Sequence, residues 1–281
     1  GCVVLLIPTA CMGATLPILA AGVVRRASQI GKRVGWLYSL NTFGAVAGTL
    51  LAAFVFIPAL GLWKTSFVGV LLNLMVAVVG WFVALRTPPA GEVEAVEEGG
   101  KGADEGSRTK SVSGTLITPV LVVMLLSGAI SFVYEILWSR LLAHVLGGSL
   151  VAFATMLSSF LGGIAIGGLV GARLAGDRRH SCYWLAGAEM AAGLLTLLLF
   201  FHVSSSEFAD RRWGEATTGS LANLCIWLLL PATICIGATF PLAVRVLAGD
   251  PREAGRIAGR VYSWNTIGAI LGAVAAGYFL V

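Results

Sequence analysis

Apolar residues run in long blocks along this chain, and polar residues gather in the gaps between them. Eight blocks approach or exceed the roughly 20 residues that carry a helix across a bilayer: about 2–23, 35–59, 65–85, 116–143, 149–172, 182–202, 219–244 and 261–281. The period-2 alternation in segments of about 10 residues that marks a transmembrane barrel is missing. The pattern therefore predicts an all-α polytopic transmembrane bundle with about eight visible spans. Residues 86–114 interrupt it with Pro, Gly, Glu and Lys, including Glu92, Glu94, Glu97, Glu98, Asp104 and Glu105. That composition predicts a disordered, solvated linker.

A second pattern lies over the first. Gly13-Ala14-Thr15-Leu16-Pro17 returns as Gly237-Ala238-Thr239-Phe240-Pro241, 224 residues later. Tyr38-Ser39-Leu40-Asn41-Thr42-Phe43-Gly44-Ala45 returns as Tyr262-Ser263-Trp264-Asn265-Thr266-Ile267-Gly268-Ala269 at the same offset. Gly31, Gly35, Gly48 and Ala52 recur at Gly255, Gly259, Gly272 and Ala276. A constant offset keeps loops as well as helices in register, which is the mark of two copies of one structural unit. The chain opens at Gly1 inside one apolar block and stops at Val281 inside another, so a fragment of a longer protein is expected.

Composition agrees with the blocks. Hydrophobic residues make up 57% and charged residues 12%, with a mean hydropathy of +0.89; soluble domains carry about 25% charged residues. A net charge of +5 would suggest nucleic acid in a soluble protein, but membrane orientation accounts for it here. If the first span runs outside to inside, 15 of the 19 Lys and Arg fall in cytoplasmic segments. Only Lys64, Arg140, Arg211 and Arg212 fall on the other side. Linker 86–114 is then cytoplasmic, in a bacterial inner (plasma) membrane. The five cysteines lack metal-ligand spacing and read as apolar packing residues. No metal and no nucleic acid is expected.

Both Gly-Ala-Thr-x-Pro helices then run the same way, so the repeat is parallel with an even number of spans per unit. Counting gives six spans per unit: residues 1–85 are the last three of the first, 86–114 the linker, and 115–281 the first five of the second. Parallel six-helix halves are the arrangement of major facilitator transporters.

The candidate residues follow from the spans. Tyr38 and Asn41 share a helix face at i, i+3, as do Tyr262 and Asn265. A pseudo-symmetric polar site between the halves and interhelical hydrogen bonding both explain them. Gly44 and Gly48, and Gly268 and Gly272, have the GxxxG spacing of close helix packing. Pro17 and Pro241 are expected to end or kink their helices. Gly162 to Gly168 reads as a packing face, since no strand or Lys accompanies it. The run from Gly171 to Arg179, with Asp177, loosely resembles the loop between helices two and three of major facilitator proteins; ordinary positive-inside charge also explains it. Glu135 and Glu189 are the acids deep within apolar spans. An intramembrane carboxyl costs at least about 2.5–3.5 kcal/mol, which points to a cation- or proton-binding role or to an ion pair that fixes packing.

Ser127-Gly128-Ala129 with Tyr134-Glu135-x-x-Trp138-x-Arg140, then Gly237-Ala238-Thr239-x-Pro241, then Tyr262-x-x-Asn265-Thr266-x-Gly268, resemble in this order the membrane domain of the fused major facilitator/spermidine synthase family. The resemblance implies a transporter-like module that handles polyamines or related cations, with Glu135, Glu189, Tyr134 and the Tyr/Asn pairs as substrate or proton contacts. It also implies a fused or associated cytosolic aminopropyltransferase that uses decarboxylated S-adenosylmethionine as substrate. No catalytic motif and no cofactor site of such an enzyme is found in these residues. Two alternatives stay open: a membrane anchor or regulatory domain of that enzyme, and a general major facilitator transporter.

Overall fold

Each apolar block becomes a helix. The computed structural model describes residues 2–86, 114–146, 149–203 and 218–280. In chain order the long helices are α1 (Cys2–Val23), α2 (Ile30–Leu51), α3 (Ile57–Arg86), α4 (Gly114–Leu146), α5 (Leu150–Leu174), α6 (Arg178–Val203), α7 (Thr218–Leu247) and α8 (Ala254–Ala275). No strand occurs among the described residues. The expected linker, apart from Arg86 and Gly114, lies outside them, as do Arg211 and Arg212.

Two helix starts carry the polar groups that free backbone N–H donors need. Ser149 caps α5 by accepting from the Ala152 N–H at 3.1 Å. Asp250 accepts from the Arg252 N–H at 2.8 Å ahead of the 3-10 turn Pro251–Glu253. Pro17 and Pro241 do not end their helices, contrary to one of the two expectations for them. α1 continues to Val23 and α7 to Leu247. Inside an apolar span, a helix end would strand several backbone groups without water, whereas a proline forfeits a single bond.

The duplication shows in most boundaries of the paired elements. The 3-10 turns Ala27–Gln29 and Pro251–Glu253, the helices Ile30–Leu51 and Ala254–Ala275, and the π-helical turns Ala52–Phe56 and Ala276–Leu280 each differ by 224 residues at both ends. α1 and α7 likewise end at Val23 and Leu247.

Six helical stretches among the described residues are long and apolar enough to cross a membrane: Leu6–Val23, Ala27–Arg86, Leu116–Ala143, Leu150–Leu174, Arg178–Val203 and Asn223–Leu247. The second is 60 residues long, about 90 Å as a straight helix and some three times the hydrocarbon thickness. Gly61, at φ 74° and ψ 170°, breaks it. Only glycine adopts that backbone conformation cheaply, and the break separates the expected spans 35–59 and 65–85. The expected span 261–281 is helical from Val261 to Leu280, the last described residue, and is not among the six.

The chain forms two compact units, Gly1–Leu50 with Lys110–Val281, and Leu51–Thr109. In the first, α5 packs chiefly on α7, and α4 on α8. Small residues set these contacts. A Cβ at Gly268 or Gly272 would run into the backbone of Leu125 or Ala129, and one at Gly163 into Thr233. Lipid tails are as apolar as leucine, so this close van der Waals fit does the work that water exclusion does in soluble proteins. The buried core of this unit includes Leu16, Val34, Met124, Phe240, Leu242, Val244, Leu247 and Val261. A second cluster joins Trp138, Leu142, Met156, Phe160, Cys225 and Leu229. The other unit contains α3, none of whose residues is buried.

Candidate solute cavity

Six helices of the larger unit line an open cavity of about 390 Å³. α1 and α7 contribute Met12 and Ile236, Thr15 and Thr239, Leu16 and Phe240; α2 and α8 contribute Tyr38 and Tyr262, Asn41 and Asn265, Thr42 and Thr266, Ala45 and Ala269. Every pair is related by the 224-residue offset. The remaining wall comes from Gly13 of α1, whose counterpart Gly237 is not in the lining, and from α4 (Met124, Ser131, Phe132, Glu135) and α5 (Phe160, Leu161, Ile164).

The repeat pattern explains the wall's regularity. Positions 38, 41, 42 and 45 lie along one face of α2, and their equivalents along one face of α8. Phe240 stacks on Tyr38 with ring centroids 4.7 Å apart and meets Tyr262 edge-on at 6.3 Å. One aromatic ring thus links the two repeat-related tyrosines in the favoured offset and T-shaped geometries. Its counterpart Leu16 offers no ring.

The prolines cross-pack between copies. A Cβ at Gly35 would stand 3.0 Å from the Pro241 Cβ, and one at Gly259 would stand 3.5 Å from the Pro17 Cβ. Each copy's proline therefore rests on the other copy's glycine.

Of the sequence-derived candidates, Glu135, Tyr38, Asn41, Tyr262 and Asn265 come together at this cavity. Glu189 and Tyr134 do not line it. Ser127 of α4 lies beside the Glu189 carboxyl, whose Oε1 is buried without a hydrogen-bond partner. Tyr134 lines a separate, apolar groove of about 510 Å³ with Leu137, Trp138 and Leu141 of α4 and Gly193, Thr196, Leu197 and Phe200 of α6. Gly268 and Gly272 pack on α4, whereas Gly44 and Gly48 face open space. Asp177 stands ahead of α6, where it accepts from the Arg179 N–H at 3.3 Å and pairs with His180 at 3.4 Å. The Arg178 N–H, first among these contacts, holds its carboxyl below the usual range. In the same loop, Arg245 Nε donates to the Gly176 carbonyl at 2.8 Å.

Sequence reasoning passed over Thr15, Thr42, Thr239, Thr266, Ser131 and Phe240. The threonines lay inside the repeated motifs, and Thr42 and Thr266 sit one turn from Tyr38 and Tyr262, so the same-face rule could have found them. Among the described residues, no cluster of three or more His, Cys, Asp or Glu could hold a metal.

A family model described as Major Facilitator Superfamily matches residues 2–273. No curated protein and no solved structure matches the chain.

Proposed function

With that match over nearly all of its length, the chain belongs to the Major Facilitator Superfamily, and we propose that it moves a small organic cation through the cavity that holds Glu135. It is an integral membrane, helical, transporter-like module. The observation that carries the cation reading is a carboxyl kept inside an apolar span and set in the wall of a cavity formed by both copies of the repeat. The repeat-related wall supports alternating access, in which one half rocks against the other around a central site.

The finer reading is a polyamine-handling module fused to a spermidine synthase-like domain. The ordered motifs around Glu135, Pro241 and Asn265 support it. Of the two acids, Glu135 is the substrate contact in this proposal, since Glu189 lies apart from the cavity.

Reconstituting the protein in liposomes and measuring uptake of radiolabelled spermidine and of simple monoamines tests the proposal. Uptake of at least one of these cations, lost in Glu135→Gln, is the expected result. Cation uptake that is unchanged in Glu135→Gln would remove the cavity carboxyl from the mechanism.

A further inference from the structure

Five hydroxyls in the cavity wall have already committed their hydrogens. Thr15 Oγ1 donates to the Met12 carbonyl at 2.7 Å, and its repeat partner Thr239 donates to the Ile236 carbonyl at 2.7 Å. Thr42 donates to the Tyr38 carbonyl and Thr266 to the Tyr262 carbonyl, both at 2.9 Å. Ser131 donates to the Gly128 carbonyl at 3.2 Å. A carbonyl oxygen can only accept, so in each bond the hydroxyl is the donor. What each hydroxyl has left is its lone pairs.

The wall is therefore rich in acceptors. An ionised Glu135 is acceptor-only, and these five hydroxyls add acceptors around it. Donor capacity is confined to the phenols of Tyr38 and Tyr262 and the amides of Asn41 and Asn265. Because the threonines are repeat-related, the acceptors stand on both copies. A solute that satisfies such a wall must bring several N–H donors as well as positive charge.

We infer that this cavity selects a primary ammonium group over a fully alkylated one of the same charge. The inference rests on the reading of the Glu135 cavity as a cation site. A primary ammonium carries three N–H donors, enough to meet the carboxylate and an acceptor from each copy. A quaternary ammonium brings the same charge but no donor, so its entry would strip water from the hydroxyl lone pairs and replace it with nothing. The committed hydroxyls would then act against it.

The test compares two probes of equal charge and chain length on the unmutated protein in nanodiscs. The probes are n-pentylammonium and pentyltrimethylammonium, with affinity read by isothermal titration. The expected result is at least tenfold tighter binding of the primary amine. The Thr42→Val/Thr266→Val double variant, checked for an unchanged melting profile, should narrow that ratio, while Glu135→Gln weakens both probes. Equal binding, or tighter binding of the trimethyl probe, overturns the inference and leaves the cation reading standing. Absence of binding by either probe, or binding indifferent to Glu135→Gln, sinks the cation reading and the inference with it.

Discussion

Glu135 and Glu189 both bear the roughly 2.5–3.5 kcal/mol cost of a carboxyl deep in a membrane helix, yet they sit in different surroundings. Glu135 faces a cavity; Glu189 faces a serine of α4. Sequence made both visible, because an acid in an apolar run stands out. It could not separate them, because neighbours in space come from other helices. Tyr134 shows the same limit at shorter range. It adjoins Glu135 in sequence, but one helical step turns the side chain by about 100°, which puts it in the groove toward α6. At the surface, Asp177 gives a pH prediction. Its carboxyl is held below the ordinary range by the Arg178 N–H. Its contribution to stability is complete above the ordinary carboxylate range and disappears as pH falls through the lowered value. Asp177→Ala should melt slightly earlier at neutral pH, with the difference closing in strong acid; a gap independent of pH would discount the carboxylate's charge.

At the scale of elements, the duplication turns one copy into a control for the other. Gly268 and Gly272 meet the backbone of α4, so Gly268→Val or Gly272→Val should cost about 1–3 kcal/mol or more through overpacking. Their equivalents Gly44 and Gly48 face open space. Gly44→Ala and Gly48→Ala should be neutral or gain up to about 1 kcal/mol from helix propensity. Denaturation of the four single variants checks both halves of the contrast, and equal losses at all four positions would refute it. Helix positions themselves were largely legible in the apolar blocks. Two features were not. The stretch from Ala27 to Arg86 stays helical except at Gly61, since a glycine break depends on a local torsion angle rather than on hydropathy. The helices also run through Pro17 and Pro241, because satisfying the backbone in lipid outweighs the one hydrogen bond each proline forfeits.

For the whole molecule, the proposed topology places residues 86–114 and the ends of α1, α5 and α7 on the cytoplasmic side. The support is the 15 to 4 division of basic residues. The packing agrees in one respect: Gly31 at the start of α2 meets Ala175 after α5 and Arg245 of α7, so these basic ends gather at one end of the larger unit. Single cysteines introduced into a cysteine-free background, one in 87–113 and one at Lys64, should label from opposite faces of the membrane, the first from the cytoplasm. Labelling of the linker position from outside would invert the topology. The 224-residue offset, read from sequence, relates most of the cavity wall, since all its α1, α2, α7 and α8 positions except Gly13 are repeat pairs. It could not anticipate what α4 and α5 add, because the repeated motifs read from the sequence do not include those helices.

The wall departs from its symmetry at Leu16 and Phe240. A solute held between matched walls would have two equivalent poses, interchanged by the pseudo-twofold relation. Glu135 of α4 already makes those poses unequal, and the ring of Phe240, wedged between Tyr38 and Tyr262, adds to the difference. One orientation of an unsymmetrical solute then lies lower in energy than its twofold-related alternative. Together they give a duplicated fold something duplication alone withholds, a polarity for its cargo. Phe240→Leu removes the ring but leaves Glu135 on one side of the wall, so a spin-labelled amine should keep its preferred orientation and gain mobility within it.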